Sequence, residues 1–249
     1  MSQVLHLAGY RFVRLVEPAV VRERLFDAAS ALGIKGTILL ATEGINFNVA
    51  GAPAAADAWL QRLAEDARFA GIDIKRSVSA HLPFRHLRVK VKAEIIRMNR
   101  PAIAPDAERA PAVAGPTLVR WLRQGCGDDG RELALLDTRN AFEVAAGAFE
   151  GAVDWRLGRF SEFPQAVSVH AGALRDKTVV SYCTGGIRCE KAARVLREAG
   201  LHAWQLDGGI LRYFEDTRGA APHWRGNCVV FDDRGQLDTQ LRPAPPAGS

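Results

Sequence analysis

A chain of 249 residues, 48% hydrophobic and 24% charged, has the make-up of a folded globular protein and the length of one broad domain or two modest ones. It contains no apolar run of about 18 residues, and arginines interrupt its apolar N-terminus, so neither a membrane span nor a secretory leader is expected and the expected location is the cytoplasm. The formal net charge of +5 is compatible with a nucleic-acid partner without establishing one.

Residues 5–16 read as a strand. Residues 18–32 have helical spacing, with Val20, Leu25, Ala28 and Leu32 as one face. Residues 36–41 and 45–50 are two short strands around Thr42-Glu43-Gly44, a hairpin signal. Residues 52–66 form a second helix carrying Trp59, Leu60 and Leu63, and residues 72–78 and 87–96 are strands. The order β-α-β-β-α-β plus one strand predicts a ferredoxin-like (acylphosphatase-like) α+β sandwich over residues 1–98. In its last strand Arg88, Lys90 and Lys92 alternate with Leu87, Val89 and Val91, which places three cations on one face. With Arg85, Arg97 and Arg100 nearby, they can follow RNA phosphates or form an ordinary wet sheet face.

Residues 99–116 hold four prolines and little periodicity, and read as a linker. The second half, residues 117–218, opens with a helix over 117–124. Strand-like runs follow at 133–137, 152–155, 177–183 and 203–206, with helical stretches around Ala141, over 160–169 and over 191–199. This alternation predicts an α/β domain with a mostly parallel sheet covered on both faces. Residues 219–249 read as a polar, partly disordered extension ending in RPAPPAGS.

Residues 181–192, SYCTGGIRCEKA, carry the chemistry. A cysteine at the carboxyl end of a strand, before a glycine-rich loop and a helix N-terminus, faces free N–H groups and partial positive charge. Arg188 adds a full charge. Each effect favours thiolate over thiol at Cys183, which makes it a candidate nucleophile. A strand-end cysteine is otherwise an ordinary buried residue; Gly185, Gly186 and Arg188 favour the reactive reading. Cys126 and Cys228 read as structural. No C-x-x-C pair occurs, and His6, His81, His86, His170, His202 and His223 lack ligand spacing, so no metal site is expected.

CTGGIRCEKA (183–192) on a strand–loop–helix, LLDTRNAFEVAAGAFEGAV (135–153) and LDGGILRYFE (206–215) make the second half resemble a rhodanese domain. Together with LLATEGIN (39–46) and RHLRVKVKAEII (85–96), the chain resembles a short form of the rhodanese-domain tRNA uridine hydroxylases over about residues 5–233. That family makes 5-hydroxyuridine at the wobble position of tRNA using molecular oxygen. The resemblance implies a tRNA partner, molecular oxygen as co-substrate, no recognisable cofactor, and Cys183 as a catalytic cysteine able to carry a persulfide from a donor. Thr184, Gly185, Gly186 and Ile187 would cradle the sulfur through their N–H groups, and Arg188 would hold it by charge. Cys189 either resolves an oxidised Cys183 or packs at a helix start. Glu190 and Lys191 are singled out only by their match to the family loop; solvated capping of the first helical turn is the favoured reading. Asp137 and Arg139 end a strand at the same sheet edge; they support the substrate or, more simply, form a buried ion pair. Glu43 could touch substrate, but turn chemistry alone explains an acidic residue there.

The competing enzyme reading is a rhodanese-type sulfurtransferase, in which Cys183 passes sulfane sulfur to a thiol or cyanide. A non-enzymatic anion-binding module is the third, and it has no need of a thiolate.

Overall fold

The computed structural model describes residues 3–103, 105 and 109–245. The chain divides into two compact units. One runs to Arg97 and takes in Asp232–Arg234; the other comprises Met98–Phe231 and the chain from Gly235.

The first unit contains β1 (Val4–Phe12), α1 (Pro18–Ala31), β2 (Lys35–Ala41), β3 (Gly44–Gly51), α2 (Pro53–Ala64), β4 (Lys75–Ser79) and β5 (Leu87–Val91). The sheet order is β4-β1-β3-β2-β5, antiparallel except for the β2–β5 pair. This is the expected ferredoxin-like sandwich with one strand added at an edge. Ile38 and Leu40 of β2 and Ile45, Phe47 and Val49 of β3 recur every second residue and share one core with Ala56, Trp59 and Leu63 of α2. The face of α1 differs from the expected one by a residue. Val21, Leu25 and Ala29 are buried, an unbroken i, i+4 stripe, whereas Val20 is 63% exposed.

β5 stops at Val91 rather than at Ile96. Lys92 N–H still reaches the Leu40 carbonyl at 2.7 Å. Beyond it the chain is gripped by side chains from the EGIN segment. Glu43 Oε1 accepts the Ile95 N–H at 2.7 Å, and Asn46 Nδ2 donates to the Ile95 carbonyl at 3.1 Å. Glu43 therefore has a specific backbone partner beyond its place in a turn.

The second unit contains β6 (Ala112–Val113), α3 (Gly115–Gln124), β7 (Leu133–Asp137), α4 (Ala141–Ala146), β8 (Gly147–Phe149), β9 (Val153–Asp154), α5 (Phe163–His170), β10 (Thr178–Tyr182), α6 (Ile187–Glu198), β11 (His202–Leu206), α7 (Gly209–Asp216), β12 (Trp224–Gly226), β13 (Cys228–Val229), β14 (Gln236–Leu237) and β15 (Pro243–Ala244). The main sheet, β6-β11-β10-β7-β9, is wholly parallel, as expected of a rhodanese-like domain.

Two segment readings change. The expected linker 99–116 contributes β6, which pairs with β11, and the first turn of α3. Pro116 reads as loop punctuation in sequence, but it starts a helix, where its missing N–H costs nothing. Residues 104 and 106–108 of that segment lie outside the described residues. The C-terminal extension is also more ordered than expected. β12 pairs with β8, β13–β15 form a small sheet, and Ala221, Cys228, Val230 and Leu237 join the core of the second unit. A domain ending at residue 218 would lack these side chains. Residues 246–249 of the expected disordered end lie outside the described residues.

Candidate active site

β10 and β7 run side by side and end together, with Tyr182 opposite Asp137. Five successive residues of β10 are buried, so the chain emerges only where the sheet stops. There it turns through Cys183–Gly186 and starts α6. Ligands of parallel sheets bind at this carboxyl edge.

The turn is held from both sides. Gly186, at φ +97°, takes a left-handed conformation that suits glycine and directs its N–H to Cys183 Sγ at 3.2 Å. The first residues of α7 secure the other side. Ile210 N–H donates to the Cys183 carbonyl at 2.9 Å and Leu211 N–H to the Thr184 carbonyl at 3.1 Å. Gly209, at φ +68°, lies so close that an added Cβ would sit 2.4 Å from the Cys183 carbonyl oxygen. The LDGGIL segment is thus a clamp on the cysteine turn, through backbone groups no side-chain pattern advertises.

Cys183 is buried. Burial opposes its ionisation, but the Cys189 thiol, the Arg188 charge and the N–H groups of Arg188 and Cys189 outweigh it and bring its pKa from 9.0 down to about 6. Cys189 moves the other way. Burial and the neighbouring Cys183 thiolate push it well above its usual value, so it remains a thiol. Thr138 Oγ1 lies 3.8 Å from Cys189 Sγ and donates to the Tyr182 carbonyl at 2.9 Å. Burial alone dominates Cys228, which is pushed up to about 12. One cysteine of this group is therefore poised as an anion, with a protonated neighbour beside it.

Arg188 is buried and bidentate with Glu143, Nη1 to Oε2 at 2.7 Å and Nη2 to Oε1 at 2.8 Å. Glu143 Oε2 also accepts the Asn140 N–H at 3.0 Å, and Thr184 Oγ1 lies 3.4 Å from its Oε1. Burial opposes the Glu143 charge, yet Arg188 holds its carboxyl below the ordinary value. Glu143 escaped the sequence reading. Its only signal was the Asn140-x-x-Glu143 spacing of a helix start.

Residues 4–95 match the UPF0176 acylphosphatase like domain, and residues 118–216 match the Rhodanese-like domain. A protein of Bordetella pertussis strain Tohama I named tRNA uridine(34) hydroxylase is 57% identical over 244 residues, covering 98% of this chain and 99% of that one. Proteins of the same name from Bordetella avium and Variovorax paradoxus are 56% identical over 241 residues and 54% over 242; they cover 96% and 97% of this chain and are themselves covered over 99% and 91%. The chain belongs to the tRNA uridine(34) hydroxylase family.

The remaining expected site residues of this family member fall in distinct places. Thr184, Gly185 and Ile187 are half-buried, and a Cβ added at Gly185 would meet no atom within 4 Å, so the turn is open there. Asp137 and Arg139 form a buried ion pair. Arg139 is fully buried, donates from Nε and Nη2 to Asp137 at 2.9 and 2.6 Å, and reaches the carbonyls of Glu143 and Gly147. Glu190 and Lys191 are buried, which corrects the solvated-capping reading; Glu190 pairs with Arg109 at 3.2 Å.

Arg88, Lys90 and Lys92 belong to the first unit. Val89 enters the core between Arg88 and Lys90, so those two project from the opposite sheet face, in register with Thr37 and Leu39. Lys92 lies just past β5. All three are exposed, and among the described residues none has an acidic partner within ion-pair distance. Arg100 instead pairs with Glu198 in the second unit. No group of three His, Cys, Asp or Glu side chains suited to a metal occurs among the described residues, and none of their helices is long and apolar enough to cross a membrane.

Proposed function

We propose that this protein converts the wobble uridine of tRNA to 5-hydroxyuridine in an oxygen-dependent reaction that requires the Cys183 thiolate. One observation carries the proposal: Cys183 stands at the carboxyl edge of a parallel sheet with the Gly186 N–H 3.2 Å from its Sγ, where Cys189, Arg188 and backbone N–H groups lower its pKa, in a chain matching proteins named tRNA uridine(34) hydroxylase over almost its whole length.

In this reading Cys183 is the reacting sulfur. Arg188 balances its charge, and Cys189 supplies a proton or resolves an oxidised Cys183. The backbone of Thr184, Gly185, Gly186 and Ile187 shapes the cradle, which would also suit the terminal sulfur of a persulfide delivered by a donor protein or small sulfane. Asp137 and Arg139 support the cradle from behind. Molecular oxygen is the co-substrate. Arg88, Lys90 and Lys92 of the first unit take tRNA phosphates, in the cytoplasm where tRNA is found. A small-molecule sulfurtransferase would need the cradle but not those cations.

The test is mass spectrometry of tRNA nucleosides from a strain lacking the gene and other routes to 5-hydroxyuridine. The restored gene should return the nucleoside in air and not without oxygen, and Cys183→Ser should fail to return it. A restored gene that leaves 5-hydroxyuridine unchanged, while the purified protein moves sulfur from thiosulfate to cyanide efficiently, would replace this reading with the sulfurtransferase.

A further inference from the structure

Phenylalanine, tyrosine and tryptophan together number 19 in this chain, and all lie among the described residues. Only two are exposed, Phe142 at 57% and Phe231 at 60%. Both are linked to the same buried ion pair, Phe142 by sequence and Phe231 by contact. Phe142 is the residue before Glu143, on the first turn of α4. The Phe231 ring lies over Arg188, with the guanidinium carbon 6.0 Å from the ring centre.

Both rings are carried by fixed backbone. The Glu143 carboxylate beside Phe142 is held by Arg188 and by the Asn140 N–H. On the Phe231 side, the Val229 carbonyl accepts from Thr184 Oγ1 at 3.4 Å, and the Val230 N–H bonds to the Gly235 carbonyl at 2.9 Å. The cysteine turn, through Thr184, is thus tied directly to the segment presenting Phe231.

Charge selects the occupant. The Arg188 guanidinium is already matched by Glu143, so it is not itself a spare cation for a phosphate. This side of the site offers one exposed aromatic ring lying over Arg188 and a second on the residue preceding its counter-ion. An unpaired nucleobase has the complementary surface, since every base has a π-face that stacks on an aromatic ring whatever its hydrogen-bonding edge.

We infer that Phe142 and Phe231 are stacking platforms for unpaired nucleobases of the tRNA loop that presents the reacting uridine. The inference rests on the tRNA reading of Cys183 and extends it to how the loop is held. Arg88, Lys90 and Lys92 then serve phosphates, and the two rings serve bases.

The experiment uses the full chain and a synthetic anticodon stem–loop RNA. Phe231→Ala and Phe142→Ala should each raise the dissociation constant about fivefold to a hundredfold, the range for losing one base–aromatic stack. Phe231→Tyr should bind like the parent, and Phe231→Leu should not. The midpoint of Cys183 alkylation against pH should stay unchanged in all variants, which shows that the turn is intact. Equal binding by Phe231→Ala, Phe142→Ala and the parent would overturn the inference, as would full rescue by Phe231→Leu, because a greasy cover would then suffice. Failure of the parent gene to restore 5-hydroxyuridine is a different result. It ends the hydroxylase reading, whereas the stem–loop titration alone judges the stacking.

Discussion

The second unit contains two buried arginine–carboxylate pairs that look alike and do different work. Arg139 and Asp137 are two residues apart, and all the hydrogen bonds from Arg139 fall within residues 137–147. The guanidinium also lies over the rings of Tyr182 and Trp224. That pair builds the turn after β7. Arg188 and Glu143 are 45 residues apart, join the first turn of α6 to α4, and set the charge beside Cys183. Burial and hydrogen bonding therefore do not distinguish a structural pair from a functional one. What distinguishes them is the neighbour each charge acts on: Arg188 helps to lower the Cys183 thiol to about 6, whereas beside Arg139 burial still pushes Cys228 up to about 12.

The largest expected effect falls on the structural pair. Arg139→Met leaves the Asp137 carboxylate buried without its partner and should cost about 3–5 kcal/mol in urea unfolding. Adding Asp137→Leu should recover most of that loss. A single change costing less than about 1 kcal/mol would mean that Asp137 finds solvent or another cation.

The functional pair should answer differently. Glu143→Gln with Arg188→Gln removes both charges while keeping hydrogen-bonding groups, and should cost about 1–2 kcal/mol. Its main effect should be on Cys183, whose pKa should rise by about 1–3 units once the adjacent cation is gone. Iodoacetamide labelling of Cys183 at neutral pH, followed by peptide mass spectrometry, should fall about tenfold or more. The Asp137→Leu, Arg139→Met protein should leave the labelling midpoint in place. A shift of equal size in both double variants would erase the distinction between the pairs.

Acid sharpens the same contrast. Because Cys183 is lowered to about 6, its labelling in the parent should rise as pH increases through about 6 and level off by neutrality. The sign for stability follows from the folded pKa lying below the unfolded one. The thiolate's contribution is fully present above the unfolded value of about 8.5 and is lost as pH falls through about 6. The Glu143 carboxyl, held below its ordinary value by Arg188, stays ionised through that interval. A labelling midpoint at about 8.5 or above in the parent would show that burial offsets or outweighs the local charges.

The smallest effect on stability belongs to the exposed cations. Arg88→Ala, Lys90→Ala and Lys92→Ala should each change unfolding free energy by less than about 0.5 kcal/mol. Each that contacts a phosphate should reduce the slope of tRNA affinity against salt by up to about one unit. An unchanged slope in the triple variant would return these residues to an ordinary wet sheet face.

Most of this architecture is legible in the residues because it is periodic. Ile45, Phe47 and Val49, or the apolar run Thr178–Tyr182, announce strands through spacing or length. β6 and β15, with two residues each, are too short to show any period, so a proline-rich linker and a polar tail concealed them. The α1 face was misread by one position because Val20 and Val21 are equally apolar, and only packing chooses between them. At the site, the cysteine turn is a contiguous motif and therefore visible. Its counter-ion Glu143 and its clamp at Gly209–Leu211 come from elsewhere in the chain, and their contacts are set by tertiary folding. The buried state of Glu190 and Lys191 was hidden for the same reason, since a charged first helical turn reads as solvated until its neighbours are known.

One feature of the first unit bears on how the protein is made. Its compact body includes Asp232–Arg234. Arg234 forks onto Asp232 and donates to Ser77 Oγ, 157 residues earlier in the chain. At a synthesis rate of about 5–20 residues per second, Ser77 leaves the ribosome roughly 8–30 s before its partner. The N-terminal sheet can collapse on its own apolar core during that interval, but its last polar contacts arrive only once Asp232–Arg234 have been made. Nascent chains stalled ahead of Asp232 should therefore carry a first unit that opens more readily to protease than the released protein does.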